Sequence, residues 1–191
     1  MNMPIRRQDR HHIIRLPAGE RFQLRYVRPD DKERLEEMFS HASPEDARFR
    51  LLGAVHGFAA HMAEKFVHLD PETEVAIVAT SLPDVQPEEI YGVVHIAQDR
   101  PDADTAEYDV MVRSDFKAHG LGYRLMTEII QCARRRGLKG VTGYISPDNS
   151  KMLLMASELG FVARRGEENL VEVKLDFDEF DRRLEEELGS D

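Results

Sequence analysis

The chain has 191 residues, of which 41% are apolar and 32% charged, and this composition is typical of one globular domain with a sizeable core. The apolar runs are only a few residues long and none follows the basic N-terminus, so we expect neither a membrane partner nor a secretory signal. The single cysteine, Cys132, excludes an internal disulfide bond and fits a cytoplasmic location, which we take as the expectation.

The net charge of −10 is unevenly distributed. Residues 51–110 carry 2 basic and 12 acidic side chains, whereas residues 111–175 carry 11 basic and 7 acidic ones. This distribution suits an anionic ligand at the second segment and a cationic ligand at the first, although an unevenly charged solvated surface would look the same. No basic face with interleaved aromatic residues is present, so we expect no nucleic-acid partner.

Alternation and periodicity predict the elements in chain order. Residues 1–20 read as a flexible N-terminal arm, and alternating or compact apolar runs then predict strands at 22–28, 75–79, 90–96, 106–112, 141–145, 161–163 and 171–175. Helices are predicted from Asp30, Ser43 and Gly57, after the glycine loop at 120–122, and from Asn149. Hairpins mixed with helical crossovers indicate an α/β fold, a mixed sheet of six to seven strands with helices on both faces. Residues 21–176 would form this single domain, followed by an acidic tail or helix over 177–191.

The segment from Glu107 to Arg124 is the most informative part of the chain. A strand ends at Val112, a short polar turn follows, and Gly120-Leu121-Gly122 leads into an amphipathic helix. Glycines allow the backbone to approach a pyrophosphate closely, and the unpaired N–H groups at a helix start point towards anionic oxygens. The segment therefore predicts a site for a phosphate-bearing ligand.

Two motifs carry a family resemblance. The first is Lys117-Ala118-His119-Gly120-Leu121-Gly122 at the end of an apolar strand, and the second is Asn149-Ser150-Lys151-Met152 followed by Glu158-Leu159-Gly160-Phe161. In this order, with a strand between them, they resemble the motifs of the GNAT family of N-acetyltransferases, with Lys117 in place of the usual Arg or Gln. The resemblance covers roughly residues 22–175.

The resemblance implies that acetyl-CoA is the donor and that the strands at 106–112 and 141–145 splay apart to admit its thioester. The backbone of the first strand would pair with the amide-rich pantetheine arm, as an open strand edge pairs with a peptide. The loop 118–123 would cradle the pyrophosphate. The donor-binding residues so implied are Val110, Met111, Val112, Lys117, Ala118, His119, Gly120, Leu121, Gly122, Tyr123, Arg124 and Asn149.

A closer resemblance is to the GNAT domain of bacterial Pat-type protein-lysine acetyltransferases. It rests on Ala106-Glu107-Tyr108, on Arg28-Pro29-Asp30-Asp31 and on the residues that follow Asn149. It implies a protein lysine as the acceptor. The large regulatory or synthetase-like modules joined to some of these enzymes do not fit in 191 residues.

Transfer to an amine needs a neutral nucleophile, and a lysine amine with a pKa of about 10.4 is almost wholly protonated at neutral pH. Glu107, which matches the subgroup's catalytic glutamate, is our candidate general base, although a solvated strand glutamate is the alternative interpretation. Asp109 shares its strand face by the two-residue period, and it could raise the pKa of Glu107 or act as the base. The backbone N–H near Val112 is the implied oxyanion donor.

Ala156 occupies the position where many family members carry a tyrosine that protonates the departing thiolate. A thiolate leaves readily without such help, so we expect direct attack with one base. Cys132 lies in the middle of a predicted helix and is expected to be buried rather than acetylated. His61 and His68 share a helical face, but no matching ligand spacing accompanies them, so we expect no metal.

The sequence thus predicts an acetyl-CoA-dependent N-acetyltransferase acting on a protein lysine. Two alternatives stay open: an acetyltransferase for a small amine, such as a polyamine or an aminoglycoside-like compound, and an acyl-CoA-binding sensor without turnover. A homodimer is also left open.

Overall fold

The computed structural model describes residues 11–44, 57–116 and 120–189. Within these ranges one sheet contains eight strands: β1 (His12–Arg15), β2 (Arg21–Tyr26), β3 (Glu74–Thr80), β4 (Ile90–Ala97), β5 (Thr105–Val112), β6 (Gly140–Ile145), β7 (Val162–Arg165) and β8 (Val171–Asp176). The α-helices of the same ranges are α1 (Lys32–Ser40), α2 (Phe58–Val67), α3 (Leu121–Arg135), α4 (Ser150–Glu158) and α5 (Phe177–Leu188). The helical segment predicted from Ser43 runs into residues 45–56, outside the described ranges. None of the described helices is long and apolar enough to cross a bilayer.

The strand order is β1-β2-β3-β4-β5-β6-β8-β7. Every neighbouring pair is antiparallel except β5 and β6, which are parallel because α3 forms the crossover between them. The predicted mixed α/β sheet is therefore confirmed, with one strand more than expected.

The additional strand corrects part of the prediction for residues 1–20. His12–Arg15 is not a loose arm but pairs antiparallel with residues 21–24 of β2, with Ile14 opposite Phe22. Ile14 and Leu16 are buried in the main core, and this burial fixes the strand. The sequence pattern did not reveal this strand, because it is short and only one of its four side chains, that of Ile14, is buried.

Two apolar cores lie on the two faces of the sheet. On one face, α1 and α2 contribute Phe39, Phe58 and Phe66 to a core that includes Met111 of β5. On the other face, the stripe Leu125, Met126, Ile129 and Ala133 of α3 is buried in a core that includes Tyr108. Neighbouring β5 residues thus serve different layers, as the alternation of a strand requires.

The central parallel pair separates towards the carboxyl ends of its strands. Pairing between β5 and β6 begins at Thr105 with Gly140 and ends at Glu107 with Thr142. β5 nevertheless continues to Val112, and β6 continues to Ile145. The expected splay between the two central strands is therefore confirmed, and it leaves a gap that is closed at Glu107 and open at Val112.

Local signals fix the helices beside this gap. Gly120 has a φ of 88°, which favours glycine, and α3 begins directly after it. The side-chain oxygen of Asn149 accepts a hydrogen bond from the backbone N–H of Met152 at 3.2 Å, so Asn149 is the N-cap of α4. Gly137 and Gly160, with φ values of 78° and 89°, follow the ends of α3 and α4. The start positions of α3 and α4 agree with the sequence predictions.

The C-terminal segment is a helix and not an extended tail. Asp176 caps α5 by accepting a hydrogen bond from the backbone N–H of Glu179 at 3.1 Å. Asp181 of this helix accepts two hydrogen bonds from the Arg134 guanidinium of α3, both at 2.9 Å. The same guanidinium lies 4.3 Å from the centroid of the Phe177 ring. These contacts hold the last helix against α3.

A buried ion pair ties β2 to the turn before α1. The Arg25 guanidinium donates hydrogen bonds to both oxygens of Asp31, at 2.7 and 2.8 Å, and a third to Glu88 at 3.0 Å. The side chains of Arg25 and Asp31 are 3% and 0% exposed. Burial alone would raise the pKa of Asp31, but the hydrogen bonds from Arg25 and from the N–H of Arg28 outweigh it and lower that pKa.

Candidate active site

A cleft of about 870 Å³ occupies the gap between β5 and β6. Its walls are the open half of β5, the end of β6, the first turn of α3 and the side of α4. A cleft of this size falls in the range of small-molecule and cofactor sites.

The sequence-predicted site residues gather here to a large extent. Those that line the cleft are Glu107, Asp109, Val110, Met111, Val112, Gly120, Leu121, Gly122, Tyr123 and Asn149. Arg124 lies on the exposed side of α3, outside the lining. Lys117, Ala118 and His119 lie outside the described residues. The roles of all these residues remain predictions.

The glycine loop forms the open end of the cleft. The first hydrogen bond along α3 runs from the N–H of Arg124 to the carbonyl of Gly120, at 3.1 Å, so the N–H groups of the preceding helical residues have no partner within the helix. Gly122 faces the end of β5 and α4: a Cβ added there would lie 3.7 Å from Val112 and 3.8 Å from Met155. This combination of bare backbone and helix start can bind a phosphate group.

The edge of β5 forms one wall. β4 pairs with β5 along its whole open half, from Val94 opposite Val110 to Gly92 opposite Val112. On the other side, pairing with β6 has ended at Glu107, so this edge of β5 faces the cleft. A strand edge of this kind can accept an extended, amide-rich chain.

Glu107 stands at the closed end of the gap with its side chain exposed to solvent. Partial desolvation raises the pKa of its carboxyl, and the negative charges of Asp109 and Asp99 raise it further. Lys65 of α2 acts in the opposite direction and lowers it. A carboxylate with a raised pKa, accessible from the cleft, is suited to accept a proton.

Further acidic side chains surround the same end. The charges of Glu172, Glu107, Glu167 and Asp99 all act, after desolvation, to raise the pKa of the Tyr144 hydroxyl, so these carboxylates are close to it. Tyr144 lines the cleft and is 49% exposed. This acidic surrounding favours a cationic ligand on the Glu107 side of the gap.

Tyr108 is a cleft residue to which sequence reasoning assigned no role. It is only 5% exposed, and its ring lies against Phe161 with the centroids 5.3 Å apart. Burial, followed by the charge of Asp109, raises the pKa of its hydroxyl far above the ordinary value. The sequence gives one signal for it: Tyr108 stands between Glu107 and Asp109 on a predicted strand. The two-residue period of a strand places its ring on the opposite face from both carboxylates.

The one cysteine of the chain does not offer an alternative nucleophile. Cys132 is buried in α3, as predicted, and burial raises the pKa of its thiol, which therefore stays protonated at neutral pH. Ala156, also buried, contributes no acid group to the cleft. Within the described ranges, no group of three or more His, Cys, Asp or Glu side chains is arranged to hold a metal ion. The chemistry available from these residues is proton transfer to Glu107 and binding of a phosphate-bearing donor.

Comparison with known families agrees with this geometry. A family model described as the acetyltransferase (GNAT) domain matches residues 21–162. Among curated proteins, acetyltransferase PA5475 of Pseudomonas aeruginosa is 26% identical over 163 residues, which is 85% of this chain and 87% of that protein. The resemblance inferred from the two motifs is thereby confirmed.

Solved structures show the same fold. The GNAT domain of S. lividans PAT superposes with a TM-score of 0.79 at 23% identity, covering 87% of this chain and 97% of that domain. The structure of yncA from Salmonella typhimurium, solved with its cofactor acetyl-CoA, superposes with a TM-score of 0.65 at 19% identity, covering 82% and 94%. At these identities the likeness establishes the architecture and not the acceptor.

Proposed function

The chain belongs to the GNAT family of acetyltransferases, and we propose that it transfers the acetyl group of acetyl-CoA to the ε-amine of a protein lysine, with Glu107 as the general base. The observation that carries the proposal is the gap between β5 and β6, which runs from the Gly120–Gly122 backbone at its open end to Glu107 at its closed end. The proposal is supported by the presence of a phosphate-binding end and a carboxylate along one cleft.

The donor binds with its pyrophosphate on the backbone of the glycine loop and its pantetheine arm along the edge of β5. The strand edge and the N–H groups at the start of α3, which have no partner within that helix, support this arrangement. Asn149 lies beside the gap as the cap of α4. The acetyl thioester then lies innermost, because the phosphate end is fixed at the mouth.

The acceptor amine arrives as an ammonium ion and must lose a proton before it attacks. Glu107 takes that proton, directly or through a water molecule, and its raised pKa makes it a better base than an ordinary carboxylate. The amine then attacks the thioester carbon, and a backbone N–H on the open edge of β5 stabilises the oxyanion. The C–S bond then breaks, and the CoA thiolate leaves and takes up the second proton, which the new amide nitrogen loses. Direct attack is supported by the buried, protonated state of Cys132.

The acidic surroundings of Glu107 support a cationic acceptor, and they serve a small amine as well as a lysine side chain. A small-amine acetyltransferase is therefore the second candidate function. We prefer a protein lysine because of the motif resemblance to the Pat-type domains. A cytoplasmic location is part of the proposal, since the donor and the lysine substrates are available there.

The deciding experiment incubates the protein and radiolabelled acetyl-CoA with a cytoplasmic extract and separates labelled protein from labelled small molecules. Label on lysine residues of proteins supports the proposal. Label confined to small amines moves the function to the second candidate. Tight CoA binding without transfer to either fraction would contradict an enzymatic role and indicate a sensor. A parallel incubation without the protein is the control for label transferred without enzymatic help.

A further inference from the structure

We propose that Tyr108 sets the length of the acyl chain that the cleft accepts and so restricts the donor to short acyl-CoA thioesters. The inference rests on the proposed function, since it assumes an acyl-CoA in the gap between β5 and β6. It assigns specificity to a residue on the strand face opposite Glu107.

The side chain of Tyr108 bridges the gap near its closed end. Tyr108 is the first residue of β5 beyond the last pair, Glu107 with Thr142, and Gly143 is the first residue of β6 beyond it. A Cβ atom added to Gly143 would lie 2.5 Å from Cζ of Tyr108, so the ring reaches across to the backbone of β6. The absence of a side chain at Gly143 makes room for the ring.

The ring is held firmly in this position. Phe161 packs against it edge-to-face, with an interplanar angle of 65°, and Tyr108 is 5% exposed. Its hydroxyl is buried and finds no hydrogen-bond partner among residues 11–44, 57–116 and 120–189. The hydroxyl therefore does not anchor the side chain there; packing of the ring does.

The direction of the donor places the acyl chain against this ring. With the pyrophosphate at Gly120–Gly122, the thioester is the innermost part of the pantetheine arm, and carbons beyond the carbonyl extend towards the closed end of the gap. An acetyl group adds one methyl carbon there, whereas a butyryl group adds two further methylenes that must displace a packed ring. Each methylene in an apolar pocket is worth about 10- to 200-fold in discrimination.

Calorimetric titration of acetyl-CoA and butyryl-CoA into the wild-type chain, Tyr108→Ala and Tyr108→Phe tests the inference. We expect the wild type to bind acetyl-CoA at least about 10-fold more tightly than butyryl-CoA. Tyr108→Ala should reduce that ratio by about 10-fold or more, because it removes the ring. Tyr108→Phe should keep the wild-type ratio, because it keeps the ring and removes only the hydroxyl. Tyr108→Val replaces the alanine variant if the latter does not fold.

An unchanged ratio in the folded alanine or valine variant overturns the inference. So does a phenylalanine variant that shifts the ratio as far as alanine does, because the hydroxyl would then make the selection. Binding is measured without any acceptor, so the result does not depend on turnover. If the thioesters bind but no amine is acetylated, the proposed function fails and the chain-length result still stands. If lysines are acetylated and the ratio does not move, only the inference about Tyr108 fails.

Discussion

Asp109 lies two residues beyond Glu107 on the same face of β5, and its charge is second only to partial desolvation among the causes that raise the pKa of the Glu107 carboxyl. The pair resembles other sites where one carboxylate makes its neighbour more basic. If Glu107 is the base, Asp109 tunes the pH at which the protein works.

The pH dependence should show this coupling. Glu107 must be deprotonated to accept a proton, so kcat/KM should fall as the pH falls through a pKa above the ordinary 4.5. Asp109→Asn removes the neighbouring charge and should move this acid limb to lower pH. Profiles of kcat/KM against pH for both proteins measure the shift, with the exposed loop variant Asp84→Asn as a control that should superimpose on wild type. A limb that stays in place in Asp109→Asn would contradict the coupling.

Replacing the base itself should separate catalysis from binding. Glu107→Gln keeps the shape of the side chain but cannot take a proton, so kcat should fall by about 10²-fold or more while the affinity for acetyl-CoA is retained. Steady-state kinetics and calorimetry on the same preparation measure both quantities. Unchanged turnover would remove Glu107 from the mechanism. A comparable loss of kcat in Asp109→Asn, with Glu107→Gln active, would move the role of base to Asp109.

Acetyl-CoA binding at the glycine loop should depend more on the charge than on the size of a side chain introduced at Gly120. Gly120 has a φ of 88°, so alanine and glutamate there both incur a backbone cost of about 1 kcal/mol. Among the described residues a Cβ would have room, since the nearest atom in those ranges is Cδ of Pro17 at 3.9 Å. Gly120→Glu should abolish acetyl-CoA binding by repelling the pyrophosphate, whereas Gly120→Ala should only weaken it.

Gly122→Ala is the second control for this loop. Its Cβ would make only ordinary contacts, at 3.7 and 3.8 Å, so the fold should be preserved and donor binding largely retained. Calorimetric Kd values for acetyl-CoA, with thermal melting to establish folding, compare the three variants. Equal binding by Gly120→Glu and Gly120→Ala would mean that no phosphate sits at the loop.

The buried ion pair of Arg25 and Asp31, which lies outside the cleft, should contribute strongly to the stability of the fold. Asp31→Asn leaves the Arg25 charge without its main partner and should lower the free energy of unfolding by roughly 3 kcal/mol or more. Asp30→Asn, at a carboxylate that is 71% exposed, should change it by less than about 0.5 kcal/mol. Urea unfolding followed by circular dichroism measures both variants, and equal effects would contradict the assignment.

The same pair predicts a pH dependence of stability. The pKa of Asp31 is lowered in the folded protein, so its contribution is complete above the ordinary value of 3.8 and is lost as the pH falls from there through the folded pKa. Unfolding curves between pH 6 and pH 2, a range chosen to span that loss, should show a smaller decline for Asp31→Asn than for the wild type. An identical decline in both would mean that Asp31 titrates normally.

Gly143 and Tyr108 should show strong thermodynamic coupling. Gly143→Ala would place a methyl group inside the space of the Tyr108 ring and should destabilise the fold by about 1–3 kcal/mol. In a Tyr108→Val background the same substitution should have a smaller effect, because the ring is no longer there. A double-mutant cycle of urea unfolding measures the coupling, and additive effects would show that the ring and Gly143 are independent.

Much of the site could be predicted because its signals are local. The glycine that starts α3 and the asparagine that caps α4 are each recognisable from a few neighbouring residues. The apolar stripe of α3 follows from the helical period, and the placement of Glu107 and Asp109 on one face follows from the strand period. The motifs then identified the family to which the chain belongs.

Other features could not be predicted because they join distant parts of the chain. The strand at His12–Arg15 forms only because β2 offers it an edge. Arg25 pairs with Asp31 across the turn before α1. Glu88 joins this pair only when the loop after β3 folds back towards Arg25. The ring of Tyr108 reaches Gly143, 35 positions later, only after β5 and β6 have become neighbours.

The amino-acid sequence by itself determined the family and the order of the described elements from β2 onward, because caps, glycines and apolar periods act over a few residues. Only the tertiary structure decided how far β5 and β6 pair before they part, and which side chain closes the gap between them. Those properties depend on side-chain packing across strands that are far apart in the chain, where no local pattern records the contact.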